Sequence, residues 1–324
     1  MPAPVLTEAN DEEKAARDVL CHAEWGARLT VPQFVSREAR LRAHPWAERE
    51  MRTWLWREGE AAGARVLASC ETFRMDSFSR GVAGNTYGVA SVFSEPSLRG
   101  HGHAGAMMRA LVSRLREEDP RAQTSILFSD VGAPLYERAG YEAVSEPWDW
   151  VIETRAAAAL PPSVRLLSES ELEREWRSVQ RPEDAAFLVW PSAAQLDWHL
   201  ERERIYAGML GGTRPAAIGA ALHASRIFWA ADFKNGRLMV LHLSVRDESD
   251  RVTLLEAACS VAHEAGLARV VGWEDPASPR IDGEAGGVTR PTRVRRSGEL
   301  PMLAPLNATV TAADWTHLSR GLWV

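Results

Sequence analysis

Apolar residues recur at two different periods along the chain, and the switches between them outline its elements. Residues 3–7 predict a short opening strand. Over residues 11–25 the apolar positions Ala15, Val19 and Leu20 share one side and the first turn is acidic, which predicts a helix. A second helix is predicted over 33–42, before the breaker Pro45. Residues 53–57 and 65–73 read as two strands, joined through Gly59 and Gly63 as a hairpin. Residues 86–94 are uncharged and predict a central strand. Ala104, Met107, Met108, Leu111 and Leu115 then recur at helical spacing within 100–117. Residues 124–128 predict a short buried strand, 131–138 a short helix capped by Ser129 or Asp130 and ended by Gly140, and 141–153 strand-like sequence.

The stretch TRAAAALPPS at 154–163 reads as a linker, because Pro161 and Pro162 cannot continue a helix. Beyond it, helices are predicted over 168–180 and 193–203. Strands follow at 205–210, 216–221, 225–233 and 237–245, then a helix at 250–265 and a buried strand at 268–273. This order echoes the first half and reads as a degenerate internal repeat. Two domains follow, 1–155 and 156–324, in an α/β class with mixed sheets. Residues 277–298 read as a loop. Its arginines, Arg290, Arg293, Arg295 and Arg296, form a basic cluster, read as a solvated strand or loop, with an anion-binding patch as the sharper alternative.

Composition narrows the function. The chain has 324 residues, 45% hydrophobic and 25% charged, as in folded soluble proteins. Lys plus Arg is 38 against 44 Asp plus Glu, a net charge of −6, which speaks against general nucleic-acid binding. No apolar run is long enough to predict a membrane span, and residues 1–14 do not read as a signal peptide. Cys21, Cys70 and Cys259 are too widely spaced for a zinc pattern or a disulfide framework, which fits a reducing cytoplasm. No spacing of histidines and carboxylates predicts a metal site.

The chemistry concentrates in VASVFSEPSLRGHGHAGA, residues 89–106. A buried strand ends in a turn, and the turn opens a helix through Gly100 and Gly102, followed by the small Ala104 and Gly105. The first helical turn carries unpaired N–H groups and a partial positive charge, so with no side chains in the way it can wrap a diphosphate. The loop is neither a G-x-x-x-x-G-K-[ST] phosphate loop nor a G-x-G-x-x-G dinucleotide turn with its acidic follower. A second element, SDVGAPLYERAGY at 129–141, places Tyr136 on a short helix after a buried strand. A strand, long helix, strand and Tyr-bearing helix with a right-handed crossover bring the loop and Tyr136 to the same carboxyl edge of the sheet.

Together these elements resemble the GNAT superfamily of acyl-CoA-dependent N-acetyltransferases. Its signature [Q/R]-x-x-G-x-[G/A] is matched locally by Arg99, Gly100, His101, Gly102, His103 and Ala104, and its Y-x-x-x-G-[F/Y] by Tyr136 to Tyr141. The resemblance implies an acyl-CoA N-acyltransferase fold followed by a second, degenerate GNAT-like domain. It implies that backbone groups of Val92, Phe93 and Ser94 bind the pantetheine arm of acetyl-CoA, and that amides of residues 100–105, through Gly105, bind its pyrophosphate. Many family members carry Asn where Ser129 stands here. The stretches RTWLWREG, VLASCETFRM and FSDVGAPLYERAGY are similar to the fungal lysine N-epsilon-acetyltransferase group, which also pairs a GNAT domain with a GNAT-like C-terminal domain.

Such an enzyme moves an acetyl group to a primary amine by direct attack in a ternary complex. A lysine-type amine has a pKa of about 10.4 and must lose a proton before it attacks. A backbone N–H on the central strand can stabilise the oxyanion, and Tyr136 can protonate the leaving thiolate. Candidates for the base are Asp130, Glu71 and Glu95. The second half carries Asp247, Glu248 and Asp250 where the glycine loop would be, and three carboxylates repel a diphosphate. The acceptor is expected to be a small-molecule amine such as lysine. A protein or aminoglycoside acetyltransferase and a non-catalytic acyl-CoA-binding module are the alternatives, and the oligomeric state is left open.

Overall fold

Two pairs of parallel strands, each joined by one long helix, form the skeleton of the molecule. The computed structural model describes residues 3–61, 63–155, 160–278, 291–307 and 310–324. In chain order the first half holds β1 (Val5–Glu8), α1 (Asp11–Trp25), α2 (Val31–Arg42), α3 (Pro45–Glu50), β2 (Met51–Arg57), β3 (Val66–Ser79), β4 (Val82–Phe93), α4 (His103–Glu118), β5 (Ala122–Ser129), α5 (Pro134–Glu137), β6 (Glu142–Ala143) and β7 (Trp148–Glu153). The second half holds β8 (Arg165–Leu167), α6 (Leu172–Ser178), β9 (Phe187–Trp190), α7 (Ala193–Leu210), β10 (Gly219–Leu222), β11 (Ser225–Asp232), β12 (Arg237–Ser244), α8 (Glu248–Glu264), β13 (Arg269–Trp273), β14 (Thr292–Arg295) and β15 (Leu300–Pro305).

β4 and β5 pair in parallel from Thr86 with Thr124 to Val89 with Leu127, and α4 crosses between them. β12 and β13 pair in parallel from Arg237 with Arg269 to Met239 with Val271, with α8 as the crossover. The echo between the halves is therefore present in three dimensions. The amphipathic pattern of α4 has its cause in this arrangement: Met107, Met108, Leu111 and Leu115 are buried against Cys70, Val89, Leu127 and Tyr136.

The sheets exchange strands. The first runs β1-β2-β3-β4-β5-β15-β6 with β9 alongside β3, so two of its strands come from beyond residue 155. The second runs β14-β7-β13-β12-β11-β10-β8 and takes β7 from the first half. β15 pairs with β5 from Leu300 opposite Ser129 to Pro305 opposite Thr124, and β7 pairs with β13 from Trp150 opposite Gly272 to Glu153 opposite Arg269. The strand-like stretch 141–153 thus divides, β6 going to one sheet and β7 to the other.

Several elements differ from the pattern-based reading. Residues 205–210, read as a strand, complete α7, where Ile205 and Tyr206 prolong a buried helical side and Gly211 ends it in the left-handed region at φ +75°. Pro45 opens a helix as its first residue rather than breaking one. α4 begins at His103, which leaves 99–102 as loop. α5 is shorter than 131–138, and neither Ser129 nor Asp130 caps it. β9 and β15 were not foreseen. Within 277–298 lies β14, and Arg293, Arg295 and Arg296 are ion-paired with Glu274, Glu146 and Asp149, so these arginines form no open anion patch. Arg290 lies outside the described residues, as does part of the linker. Among the described residues no helix is long and apolar enough to cross a membrane.

Candidate active site

The site is built on the diverging ends of β4 and β5. Their pairing ends at Val89 with Leu127, while β4 runs on to Phe93 and β5 to Ser129, which leaves a wedge open at the carboxyl edge. A bulge re-aims the end of β4. Its pairing with β3 jumps from Glu71 opposite Ala90 to Ser69 opposite Phe93, and the extra residue puts Ser91 in the left-handed region at φ +51°.

A buried charge network holds that bulge. Arg17 of α1, 6% exposed, donates from Nη2 to the Ser91 carbonyl at 2.7 Å, from Nε to Ser69 Oγ at 2.9 Å and from Nη1 to Glu71 Oε1 at 2.7 Å. Beside it the buried Asp18 accepts from Arg42 Nη1 at 3.1 Å, and burial raises the Asp18 carboxyl above its ordinary range. Glu71, one of the candidate bases, is thus committed to Arg17. Breaking such a pair strands a buried charge at a cost of about 3–5 kcal/mol. Arg17→Met should therefore lower the unfolding temperature clearly, and the added change Glu71→Gln should recover most of the loss. An unchanged melting curve for Arg17→Met would refute the role given to the pair.

The glycine loop follows. Gly100 and Gly102 take φ +80° and +79°, and a Cβ at either would meet nothing of the protein within 4 Å. Gly102 is the N-cap of α4 and no side chain caps the helix, so the first amides of α4 point into open space. Arg99 leans away from them, with Nε on the Ser94 carbonyl at 3.1 Å and a guanidinium nitrogen on Glu24. His101 is exposed and His103 half-buried, their rings 6.1 Å apart. Ser94 Oγ is buried with no hydrogen-bond partner.

α5 packs against the first turn of α4, where Leu135 would lie 3.7 Å from a Cβ on Gly105. Tyr136 is buried between Cys70, Val89 and Tyr141, its ring 6.1 Å from that of Tyr141. Among the described residues its hydroxyl has no hydrogen-bond partner. Burial, then the nearby Cys70 and Asp130, hold the phenol proton on well above the ordinary tyrosine range. Burial likewise pushes the Cys70 thiol up to about 12, so it is a core residue rather than a nucleophile. Asp130 is exposed, and its Oδ1 accepts from the Glu299 amide at 3.1 Å, just before β15. Ser129 shapes the turn by donating to the Gly132 carbonyl at 2.7 Å.

The equivalent corner of the second half is closed. Asp247 caps α8 on the Ser249 amide at 3.0 Å, Glu248 pairs with Arg251, and Asp250 accepts from Ser225 Oγ at 2.7 Å. This helix is capped by its own side chain, where α4 is not.

A family model described as "LYC1 GNAT-like C-terminal domain" matches residues 150–324, more than half of the chain, and one described as "Acetyltransferase (GNAT) domain" matches residues 30–144. The chain belongs to the LYC1-like GNAT family. This GNAT protein is an acyltransferase with tandem GNAT-like halves. A lysine acetyltransferase of Yarrowia lipolytica (strain CLIB 122 / E 150) is 22% identical to it over 319 residues, covering 78% of this chain and 80% of the relative. Among solved structures, a probable N-acyltransferase of Enterococcus faecalis V583 superposes with a TM-score of 0.63 at 14% identity, over 94% of this chain and 73% of that one. A GCN5-related N-acetyltransferase of Kribbella flavida gives 0.57 at 17% identity, again over 94% and 73%. At these identities the two structures speak for the fold.

GNAT enzymes draw their acetyl group from acetyl-CoA, and the residues present suit that donor: open helix amides, two left-handed glycines with space in front of them, and the orphaned Ser94 hydroxyl at the end of β4. Among the described residues no cluster of three His, Cys, Asp or Glu could hold a metal. The Arg17 network escaped the sequence reading. Its one local signal is an arginine four residues before Cys21 on the buried side of α1, but its partners lie 52 to 74 residues away.

Proposed function

We propose that this GNAT enzyme transfers the acetyl group of acetyl-CoA to the primary amine of a small molecule such as lysine, by direct attack within a ternary complex. The observation that carries this reading is the open, uncapped N-terminus of α4 beside a buried, unpartnered Tyr136. In this reading, amides of residues 100–105, from Gly100 to Gly105, hold the pyrophosphate. Backbone groups of Val92, Phe93 and Ser94 hold the pantetheine arm, with Ser94 Oγ as an added donor. When bound, acetyl-CoA supplies the activated thioester.

The protein's part is positional and electrostatic. Arg17 fixes the bulge, so the last amides of β4 face the wedge in one geometry and can donate to a developing oxyanion. Tyr136 stays protonated and can hand its proton to the departing sulfur. The amine must shed a proton first. Asp130 is the proposed acceptor of that proton, through water, with Oδ1 engaged by Glu299 and Oδ2 left for the task. A small cavity of about 120 Å³ between α1 and β3, lined by Arg17, Ser69, Phe93 and Ser94, opens beside the end of β4 on the side away from α4. The similarity to the Yarrowia lysine acetyltransferase supports lysine as the acceptor.

The direct test is release of free thiol from acetyl-CoA in the presence of single amines: lysine, other amino acids, diamines, aminoglycosides and a lysine-bearing peptide. A rate with lysine well above the acceptor-free background supports the reading. Thiol release with peptide or aminoglycoside alone would replace the acceptor, and no release with any amine would replace the activity.

A further inference from the structure

The helix corner of the second half is closed, yet the wedge between its strands is open. The pairing of β12 with β13 ends at Met239 with Val271, while β12 runs on to Ser244 and β13 to Trp273. A cavity of about 320 Å³ opens between these diverging ends, lined by residues 240–245 on one side and by Trp273 on the other. Arg251 of α8 and Trp190 of β9 also line it. The second half has therefore kept a wedge without the glycine loop. Its helix begins with Asp247, Glu248 and Asp250, which repel a diphosphate, so the cavity suits something other than coenzyme A.

The charge left over in this cavity is positive. Three of its arginines are matched, Arg251 by Glu248, Arg293 by Glu274 and Arg320 by Glu299. Its other carboxylate, Asp275, accepts from the Ala277 amide at 3.0 Å and from Ser278 Oγ at 2.9 Å. Arg181 and Arg246 remain. They share one exposed rim, where Arg246 donates to Gln180, the residue before Arg181. The Arg181 guanidinium lies 3.9 Å from the centre of the Phe78 ring, and among the described residues neither arginine has a carboxylate within ion-pair distance.

The walls are largely aromatic. Trp150 and Trp273 are buried and Trp190 half-buried, with the Trp190 ring edge-on to His242 at 5.2 Å between centres. Two polar groups of this lining have capacity to spare. Trp273 is 6% exposed, and its Nε1–H is buried without a hydrogen-bond partner. Ser319 Oγ spends its own proton on the Leu241 carbonyl at 2.6 Å, so His242 Nδ1 is the donor in its 3.3 Å contact with that hydroxyl, and Nε2 is left as an acceptor.

We propose that this second wedge is a binding site for a small aromatic carboxylate, separate from the acetyl-transfer site. The ring packs among the tryptophans, and the carboxylate reaches Arg181 and Arg246, whose paired N–H donors match it. A cation finds no unengaged carboxylate there. The volume lies at the lower end of small-molecule sites, room for one or two rings. Trp273 closes the cavity toward the catalytic wedge: its ring centre lies 4.6 Å from that of Phe128, which follows Leu127, the last residue of β5 paired with β4. Glu299, the partner of Arg320, is the residue whose amide holds Asp130. An occupant thus sits beside the catalytic corner without entering it.

Calorimetry with indole-3-acetate tests the site. Beside it stand tryptophol, the same ring and chain ending in a hydroxyl, and acetate, the anion without a ring. The wild type should bind one indole-3-acetate per chain, at least about tenfold more tightly than tryptophol, with no measurable binding of acetate. Arg246→Gln should weaken indole-3-acetate about tenfold. Ser244→Trp, which fills the cavity from the end of β12, should abolish binding at an unchanged unfolding temperature; if that temperature falls, the exposed Arg246→Gln decides alone. Binding should persist in saturating coenzyme A and in L-lysine. No binding of indole-3-acetate at millimolar concentration, equal affinity for tryptophol, or unchanged affinity in Arg246→Gln would overturn the proposal. Displacement by coenzyme A or by L-lysine would place the ligand in the acetyl-transfer site and overturn it too. None of these outcomes depends on thiol release, so the site and the acetyl-transfer reading stand or fall separately.

Discussion

Replacing Tyr136 by phenylalanine is expected to lower kcat by about 10²–10⁴-fold, with acetyl-CoA affinity and unfolding temperature close to wild type. The surroundings of the residue separate its two roles. The ring packs among Cys70, Val89 and Tyr141, and phenylalanine keeps that packing. The hydroxyl has no hydrogen-bond partner among the described residues, so its removal strands nothing in the folded state. Burial keeps the phenol protonated throughout the range in which an amine acceptor would be assayed, so this group should contribute no falling limb to the rate between pH 6 and about 10. The deficit should shrink with a thioester whose thiol is more acidic, because a stable thiolate departs without help. Stopped-flow measurement of the chemical step decides the matter. A variant within tenfold of wild type, with chemistry rate-limiting, would leave Tyr136 as a packing residue only.

The second large effect belongs to Gly102. Its φ of +79° costs a β-carbon-bearing residue about 1–2 kcal/mol, and a Cβ there touches nothing of the protein. Gly102→Val should therefore destabilise the fold modestly, yet weaken coenzyme A binding by at least about 10²-fold, through loss of charge-assisted bonds worth about 1.5–3 kcal/mol each. Gly266 supplies the control. It ends α8 at φ +73°, also with nothing within 4 Å of a Cβ. Gly266→Val should cost similar stability and leave calorimetric coenzyme A binding intact. Equal binding by wild type and Gly102→Val would remove the loop from the cofactor site.

What could be read from the residues alone follows how local each feature is. The helical stripe Met107-Met108-Leu111-Leu115 and the run 86–94 announce α4 and β4 because their burial pattern is written into consecutive residues. The glycine loop is legible for the same reason, since a helix N-terminus binds an anion through its own amides. β15 is not. Pro301 and Pro305 argue against a strand in the middle of a sheet, and only pairing with β5 across most of the chain explains why Met302, Leu303 and Ala304 are buried. Ile205 and Tyr206 suit strand and helix alike, and the Leu196–Leu200 side of α7 decides between them. Charge pairs are the least legible. Nothing near Arg17 announces Glu71 and Ser91, and nothing near Arg37 announces Tyr206, because those partners meet only after the sheets have formed.

The exchange of β7 and β15 has a consequence for how the molecule comes into being. On the ribosome, the strand that fills the place between β5 and β6, Leu300–Pro305, emerges long after both of its neighbours. Until then the nascent first half carries the free edge of β5, an invitation to pair with a neighbouring chain. The second sheet meanwhile recruits β7, which is synthesised well before β13. Both sheets therefore close late and together, through contacts of high sequence separation, which makes for slow folding and one shared cooperative step. A cut in the linker between the halves would not release two independent modules; it would leave each sheet short of a strand the other piece carries away.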